Sequence, residues 1–167
     1  GHQDLHRHFF TKVKFDITGE QTTVKYPDTL NNCFSMHLTA AAELVASHSA
    51  YLDFFHIIHD SKQTPGFNHS EQNAYNGLND PATMTKCCVM TLYKFAVSDP
   101  YIAAIWALGV NHLDLGPLYK QVIAHIEKLI AEPDLLLNPT ASYEDVTLDG
   151  QPFRDQFAVD PVHFMSS

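Results

Sequence analysis

Basic charge is scarce in this 167-residue chain. Ten Lys and Arg stand against nineteen Asp and Glu, a formal charge of −9 with His neutral. Nucleic-acid binding needs a basic patch or stripe. The only concentration is Arg7, Lys12, Lys14 and Lys25, so direct contact with DNA or RNA is not expected. The eleven His residues would gain charge near pH 6 and shrink that negative balance.

Long apolar runs are also missing. No stretch approaches the roughly 20 residues of a membrane span, and no signal peptide opens the chain. Cysteine is sparse: Cys33, Cys87 and Cys88, an odd number with two adjacent and no C-x-x-C. Helical neighbours point about 100° apart, which suits neither a disulfide framework nor shared ligation of one metal. The reading is reduced thiols in a soluble, intracellular (cytoplasmic or nuclear) protein away from membranes. Local catalytic signatures are absent too. There is no G-x-S-x-G, no G-x-G-x-x-G, no phosphate-binding loop and no nucleophile signature around any cysteine. Asn68-His69-Ser70 fits a glycosylation triplet of a kind that arises often by chance. Gly1 stands where Met would be expected, which favours one domain of a larger protein.

What is present is 45% hydrophobic and 17% charged, a globular composition. Residues 1–11 read as a flexible N-terminal arm, and its His2, His6 and His8 carry no metal assignment. Residues 12–167 read as a single helical domain. Lys12 to Tyr26 alternates polar and β-forming residues around Thr18-Gly19-Glu20, which predicts a small β-hairpin over 12–26. From about 38 to 60 neither Gly nor Pro occurs. Leu44, Val45, His48, Tyr51, Leu52, Phe55 and His59 share a face there, and the pattern is apolar nearly all round, as in a central helix. A short helix is expected near 70–76. Asp80-Pro81 and Asp99-Pro100 each place a cap before a proline, predicting helices over 81–97 and 100–108. Gly116-Pro117 opens the last, 117–132, with a stripe of Leu115, Leu118, Tyr119, Val122, Ile126, Leu129 and Ile130, and Pro133 stops it. Pro139, Pro152 and Pro161 then predict an extended C-terminal tail, 133–167, docked through Phe153, Phe157, Val159 and Phe164. The fold class is mainly α: a bundle of about five helices with a hairpin before it and a tail after it.

The most suggestive polar cluster is Asp53, His56, His59 and Asp60. Residues three and four apart share a helix face, so Asp53 with His56, or His56 with Asp60, could reach one zinc, iron or manganese ion. His37, His112, Asp114 and His125 are further ligand candidates. The bland alternative, a polar stripe facing solvent, carries more weight, because such residues are usually exposed or paired. His37, His59-Asp60 and then Asp99 or Asp114 follow the ligand order of His-Asp phosphohydrolases. That family puts those residues on separate helices, whereas 38–60 reads as one helix, so no membership is assigned. His48, inside an apolar stripe, reads as a buried, neutral, hydrogen-bonded ring. Tyr101, Trp106 and Tyr119 surround the Gly109–Gly116 connection and read mostly as ordinary packing.

The leading functional expectation is a helical module for a protein partner or for self-association, with no cofactor. The alternatives are a metal-dependent, hydrolase-like helical enzyme using the His/Asp cluster, and a small-molecule-binding helical domain around His48.

Overall fold

The computed structural model describes residues 6–13, 34–62, 65–107, 109 and 111–166. It is mainly helical, and no strand occurs among the described residues. In chain order the helices are α1 (residues 6–13), α2 (Phe34–Ala46), α3 (His48–Asp60), α4 (His69–Asn79), α5 (Pro81–Tyr93), α6 (Asp99–Trp106), α7 (Gly116–Ala131), α8 (Asp134–Leu137), α9 (Tyr143–Val146) and α10 (Gln156–Ser166). A wide π turn, Lys94–Ser98, joins α5 to α6, and a 3₁₀ turn, His112–Asp114, precedes α7.

Side-chain chemistry sets several of these ends. The Asn68 side chain accepts from the Glu71 N–H at 2.9 Å, and the Glu71 carboxylate accepts from the Asn68 N–H at 2.7 Å. This reciprocal capping box opens α4, so Asn68-His69-Ser70 has a structural task. The Asp80 carboxylate accepts from the Thr83 hydroxyl at 2.6 Å and its N–H at 2.9 Å, with Pro81 in the first turn. Those bonds hold the Asp80 carboxyl below its ordinary range.

Asp99-Pro100 does something else. The sequence pattern expects a fresh helix start there, yet Ser98 and Asp99 already have helical backbone and the chain turns on without a break. Pro100 has no N–H, so it cannot serve the carbonyl of Ala96 four residues earlier. The Leu148 N–H donates to that carbonyl instead, at 2.8 Å. The Asp99 N–H reaches back five residues to Lys94. The same widened turn lets Lys94 Nζ donate to both Asp99 carboxylate oxygens, at 2.8 and 2.6 Å.

The single helix expected over 38–60 is two helices. Ser47 sits between them at φ −113°, ψ 23°. The backbone ladder still crosses it, with Ser47 N–H to Glu43 O and Tyr51 N–H to Ser47 O both at 3.0 Å, so the joint is a kink. Serine leaves helical geometry at low cost by bonding locally. Here its hydroxyl donates to the Glu43 carboxylate at 3.3 Å.

The centre of the fold is α2 packed on α5, with α10 across both. Small residues make the close approach feasible. α2 buries Ala40, Ala41, Ala42 and Val45, α10 buries Ala158, Val159 and Val162, and the π turn buries Ala96. The Thr91 hydroxyl, wholly buried on α5, donates to the Cys87 carbonyl one turn back at 2.8 Å. α3 lies outside this centre, against α2 and α4.

Further expectations, at the two ends of the chain, differ from what is seen. The chain from 133 on is not an extended tail: α8, α9 and α10 lie along it, and α10 is part of the central packing. Pro161 sits inside α10, where the sequence reading treated it as punctuation. Burial of Ala158, Val159 and Val162 compensates for the hydrogen bond that it removes. Phe153 and Val159 are buried as docking residues, whereas Phe157 and Phe164 are exposed. Within the expected arm, residues 6–11 belong to α1. Phe10 is buried (2% exposed), its ring 4.4 Å from Tyr51. Lys12 and Val13, the expected start of the hairpin, are helical, and residues 14–26 lie outside the described residues.

The two readings of the C-terminal segment separate cleanly by substitution. With α10 in the core, Val162→Asp buries an unpaired charge and lowers unfolding stability by more than about 3 kcal/mol. Phe164→Asp, at a side chain 85% exposed, changes it by no more than about 0.5 kcal/mol. Urea titrations of both variants check this; equal, small effects would mean a loosely draped tail.

Candidate functional site

The histidine-rich stripe of α3 is the first place to look. Asp53, His56 and Asp60 are exposed and His59 is partly so. His59 Nδ1 lies 2.8 Å from the carboxylate of its neighbour Asp60. The His56 ring meets Tyr75 edge-on at 5.7 Å between centroids, and His59 meets Phe67 the same way at 5.1 Å. Phe55, Phe67 and Tyr75 complete this aromatic contact between α3 and α4. The stripe therefore borders an aromatic seam. Among the described residues, no group of three or more His, Cys, Asp or Glu side chains is placed to hold a metal ion.

The order shared with His-Asp phosphohydrolases fares no better, although its objection has gone. His37 on α2 and His59-Asp60 on α3 are indeed on separate helices. The Asp99 carboxylate, however, is taken up by Lys94, and Asp114 is exposed beyond α6.

Three other histidines share one task. His48 Nε2 lies 2.8 Å from the Leu78 carbonyl, His125 Nε2 3.0 Å from that of Val146, and His163 Nε2 3.0 Å from that of Leu136. A carbonyl only accepts, so each ring carries its proton on Nε2 and donates. Each bond ties a helix to a distant segment: α3 to the end of α4, α7 to α9, and α10 to α8. Burial lowers the pKa of His125, and the nearby Lys128 charge adds to that, while the bond to Val146 works the other way. Burial likewise lowers that of His6 on α1, partly offset by Glu43. Burial raises the thiols of Cys87 and Cys88, which keeps them protonated and unreactive.

Apolar residues that packing leaves uncovered include Val89 on α5 and Phe157 and Phe164 on α10, and three more on α7. At about 100° per residue, the apolar positions of α7 span an arc roughly 140° wide. One margin of that arc, Leu118, Val122 and Leu129, turns inward, and Val122 and Leu129 join the core. The other margin does not: Tyr119 is 50% exposed, Ile123 57% and Ile130 73%. Ile126 lies between the margins and is half-buried. Two large apolar side chains ahead of α7 are exposed as well. Trp106, the single tryptophan, is 80% exposed and Leu113 is 91% exposed. Tyr101 on α6 reaches Tyr119 at 6.4 Å between ring centroids, and a hydrogen bond between the two hydroxyls raises the Tyr101 phenol. Lone exposed apolar side chains need no explanation; a run of them on one helix margin is a candidate surface for interaction. The sequence stripe had counted Tyr119 and Ile130 with the core side and omitted Ile123. An ordinary amphipathic surface helix spans an arc of about the same width, so the sequence carried no signal that separates the two margins.

Comparison with protein-family models, curated proteins and solved structures finds no match. No helix among the described residues is long and apolar enough to cross a membrane.

Both lowered histidines give a testable pH dependence. A base whose folded pKa is depressed leaves stability intact above its unfolded value, here 6.5. Stability is lost as pH falls through that value towards the folded one, because the unfolded chain binds more protons. Thermal unfolding midpoints therefore drop between pH 7 and pH 5, and His125→Gln, which keeps a donor near the Nε2 position without a titrating ring, makes the drop shallower. An identical pH slope in the variant would refute the assignment to His125.

Proposed function

We propose that this chain is a helical protein-interaction module, with the outer margin of α7 as its contact face. The observation that carries this reading is the exposure of Tyr119, Ile123 and Ile130 on an amphipathic helix whose other margin is in the core. Interface centres are rich in aromatic and aliphatic side chains with charges displaced to the rim. Tyr119, Ile123 and Ile130 supply such a centre, and Lys120 and Glu127, both exposed, supply a rim beside it. Tyrosine and tryptophan are favoured anchors at such faces, and Trp106 and Leu113 stand on the approach to α7. Cys87 and Cys88 are adjacent thiols, which fits the expected intracellular setting. No residue of this face is asked to do chemistry, so the reading needs no cofactor.

A core face and a contact face respond oppositely to charge. In dilute solution, Ile123→Lys with Ile130→Lys leaves unfolding stability within about 1 kcal/mol of the parent, since surface substitutions usually cost at most about 0.5 kcal/mol each. The same pair abolishes most binding of an apolar fluorescent dye by the folded chain. A loss of several kcal/mol would put these residues in the core, and undiminished dye binding would put the sticky surface elsewhere.

A further inference from the structure

We infer that the occupant of the α7 face is a second copy of this chain, paired through α7 in antiparallel orientation. This rests on the reading of α7 as a contact face and names its partner.

The argument begins with spacing. Along the outer side of α7 the apolar residues are Tyr119, Ile123, Ile126 and Ile130, separated by four, three and four positions; Ile126 also packs in part against this chain's own core, and offers the seam only its exposed edge. That order reads the same in both directions. A two-fold interface brings one patch against itself, so it needs a patch that is self-complementary under reversal. Laid antiparallel, Tyr119 of one copy meets Ile130 of the other, and Ile123 meets Ile126. The alternation of three and four is also the repeat by which paired helices keep an apolar seam together.

Charge supplies the second and independent argument. Lys120 and Glu127 are one heptad apart on the solvent side of the seam, and both are exposed. Neither forms an ion pair within the chain among the described residues. In an antiparallel pair these equivalent flanking positions face each other. Lys120 of each copy then lies against Glu127 of the other, twice by symmetry. A parallel pair would set each beside Leu115, Val122 or Leu129 and leave both charges unmatched. The opposite flank faces this chain's own core through Val122 and Leu129, so the second copy approaches from the charged side. Gly116 and Pro133 occupy the next seam positions at either end and limit the seam to the 16 residues of α7, about 24 Å. So short a seam makes a weak dimer that forms with concentration.

Sedimentation equilibrium of the full chain over a wide concentration range tests this. The parent chain passes from monomer to dimer. Lys120→Glu and Glu127→Lys each weaken the dimer by about tenfold, because two attractive pairs become two repulsive ones. The double variant restores parental affinity. Monomer at every concentration overturns the inference. So does a dimer indifferent to the two reversals, or one that the double variant fails to restore. Dye binding and stability of the Ile123, Ile130 variant judge the contact face separately: if that result holds while the chain stays monomeric, the face is kept and the second copy is rejected.

Discussion

A proline in the middle of a long helix leaves one carbonyl without a donor, and much of this fold is arranged around that fact. Pro100 cannot return an N–H to Ala96, whose side chain is wholly buried. A carbonyl left unbonded there would cost about 1–3 kcal/mol. The Leu148 N–H meets it at 2.8 Å, and Leu148 lies in the turn that ends in Gly150, at φ 66°. That backbone angle suits glycine, and the Gly150 N–H closes the turn on the Thr147 carbonyl at 3.2 Å. The Thr147 hydroxyl, lying between the Tyr143 and Gln151 carbonyls, steadies the same turn. One missing donor in the central helix thus fixes where the C-terminal third of the chain crosses it. From that crossing, α10 can lay Ala158, Val159 and Val162 against α2 and α5.

The histidine-to-carbonyl bonds extend the same logic. Each connects elements far apart in sequence, and each satisfies a carbonyl at or near a helix end, where intrahelical donors have run out. A neutral imidazole suits this because it donates from one nitrogen and carries no charge to desolvate. This explains part of the high histidine count without metal chemistry: His48, His125 and His163 hold carbonyls, while His6, His56 and His59 pack against aromatic rings. For His125, whose pKa burial lowers, the bond also lies in a setting that links folding to pH.

The helices were legible where local chemistry decides them. Asp80-Pro81 caps α5 and Gly116-Pro117 opens α7, because caps act within one turn. Asp99-Pro100 carries the same signature and misleads, because its carboxylate pairs with Lys94 and its carbonyl debt is met by Leu148, two partners that a local pattern does not reveal. Ser47 hides the kink between α2 and α3 for a similar reason: serine is ordinary in a helix until Glu43 draws its hydroxyl. Pro161 looks like punctuation until burial of its neighbours outweighs the bond it removes. The i, i+3, i+4 spacing of Asp53, His56, His59 and Asp60 was real, but spacing on one helix supplies only half of a metal site. What faces them is aromatic: Tyr75 on α4 and Phe67 in the segment before it.

Helix α7, the proposed contact face, shows why such a face is harder to read than a core. Both demand apolar residues at helical spacing, and a stripe does not say how much of itself the protein covers. Width does not separate them. The i, i+3, i+4, i+7, i+8 pattern of an ordinary surface helix already spans about 140°, as α7 does from Leu118 round to Ile123; what separates its two margins is the rotation of the helix. The inner margin is fixed by Val122 and Leu129 in the core, and His125 beside them is anchored on the Val146 carbonyl. These contacts set the rotation of α7 about its axis. Once that rotation is set, the surplus apolar residues have nowhere to go but outward. Exposed isoleucine gains nothing for the fold itself, whereas placing charge there would cost the fold nothing. The exposure of Ile123 and Ile130 on that margin is therefore a consequence of how α7 is rotated, and it is this exposure on which the proposed contact face rests.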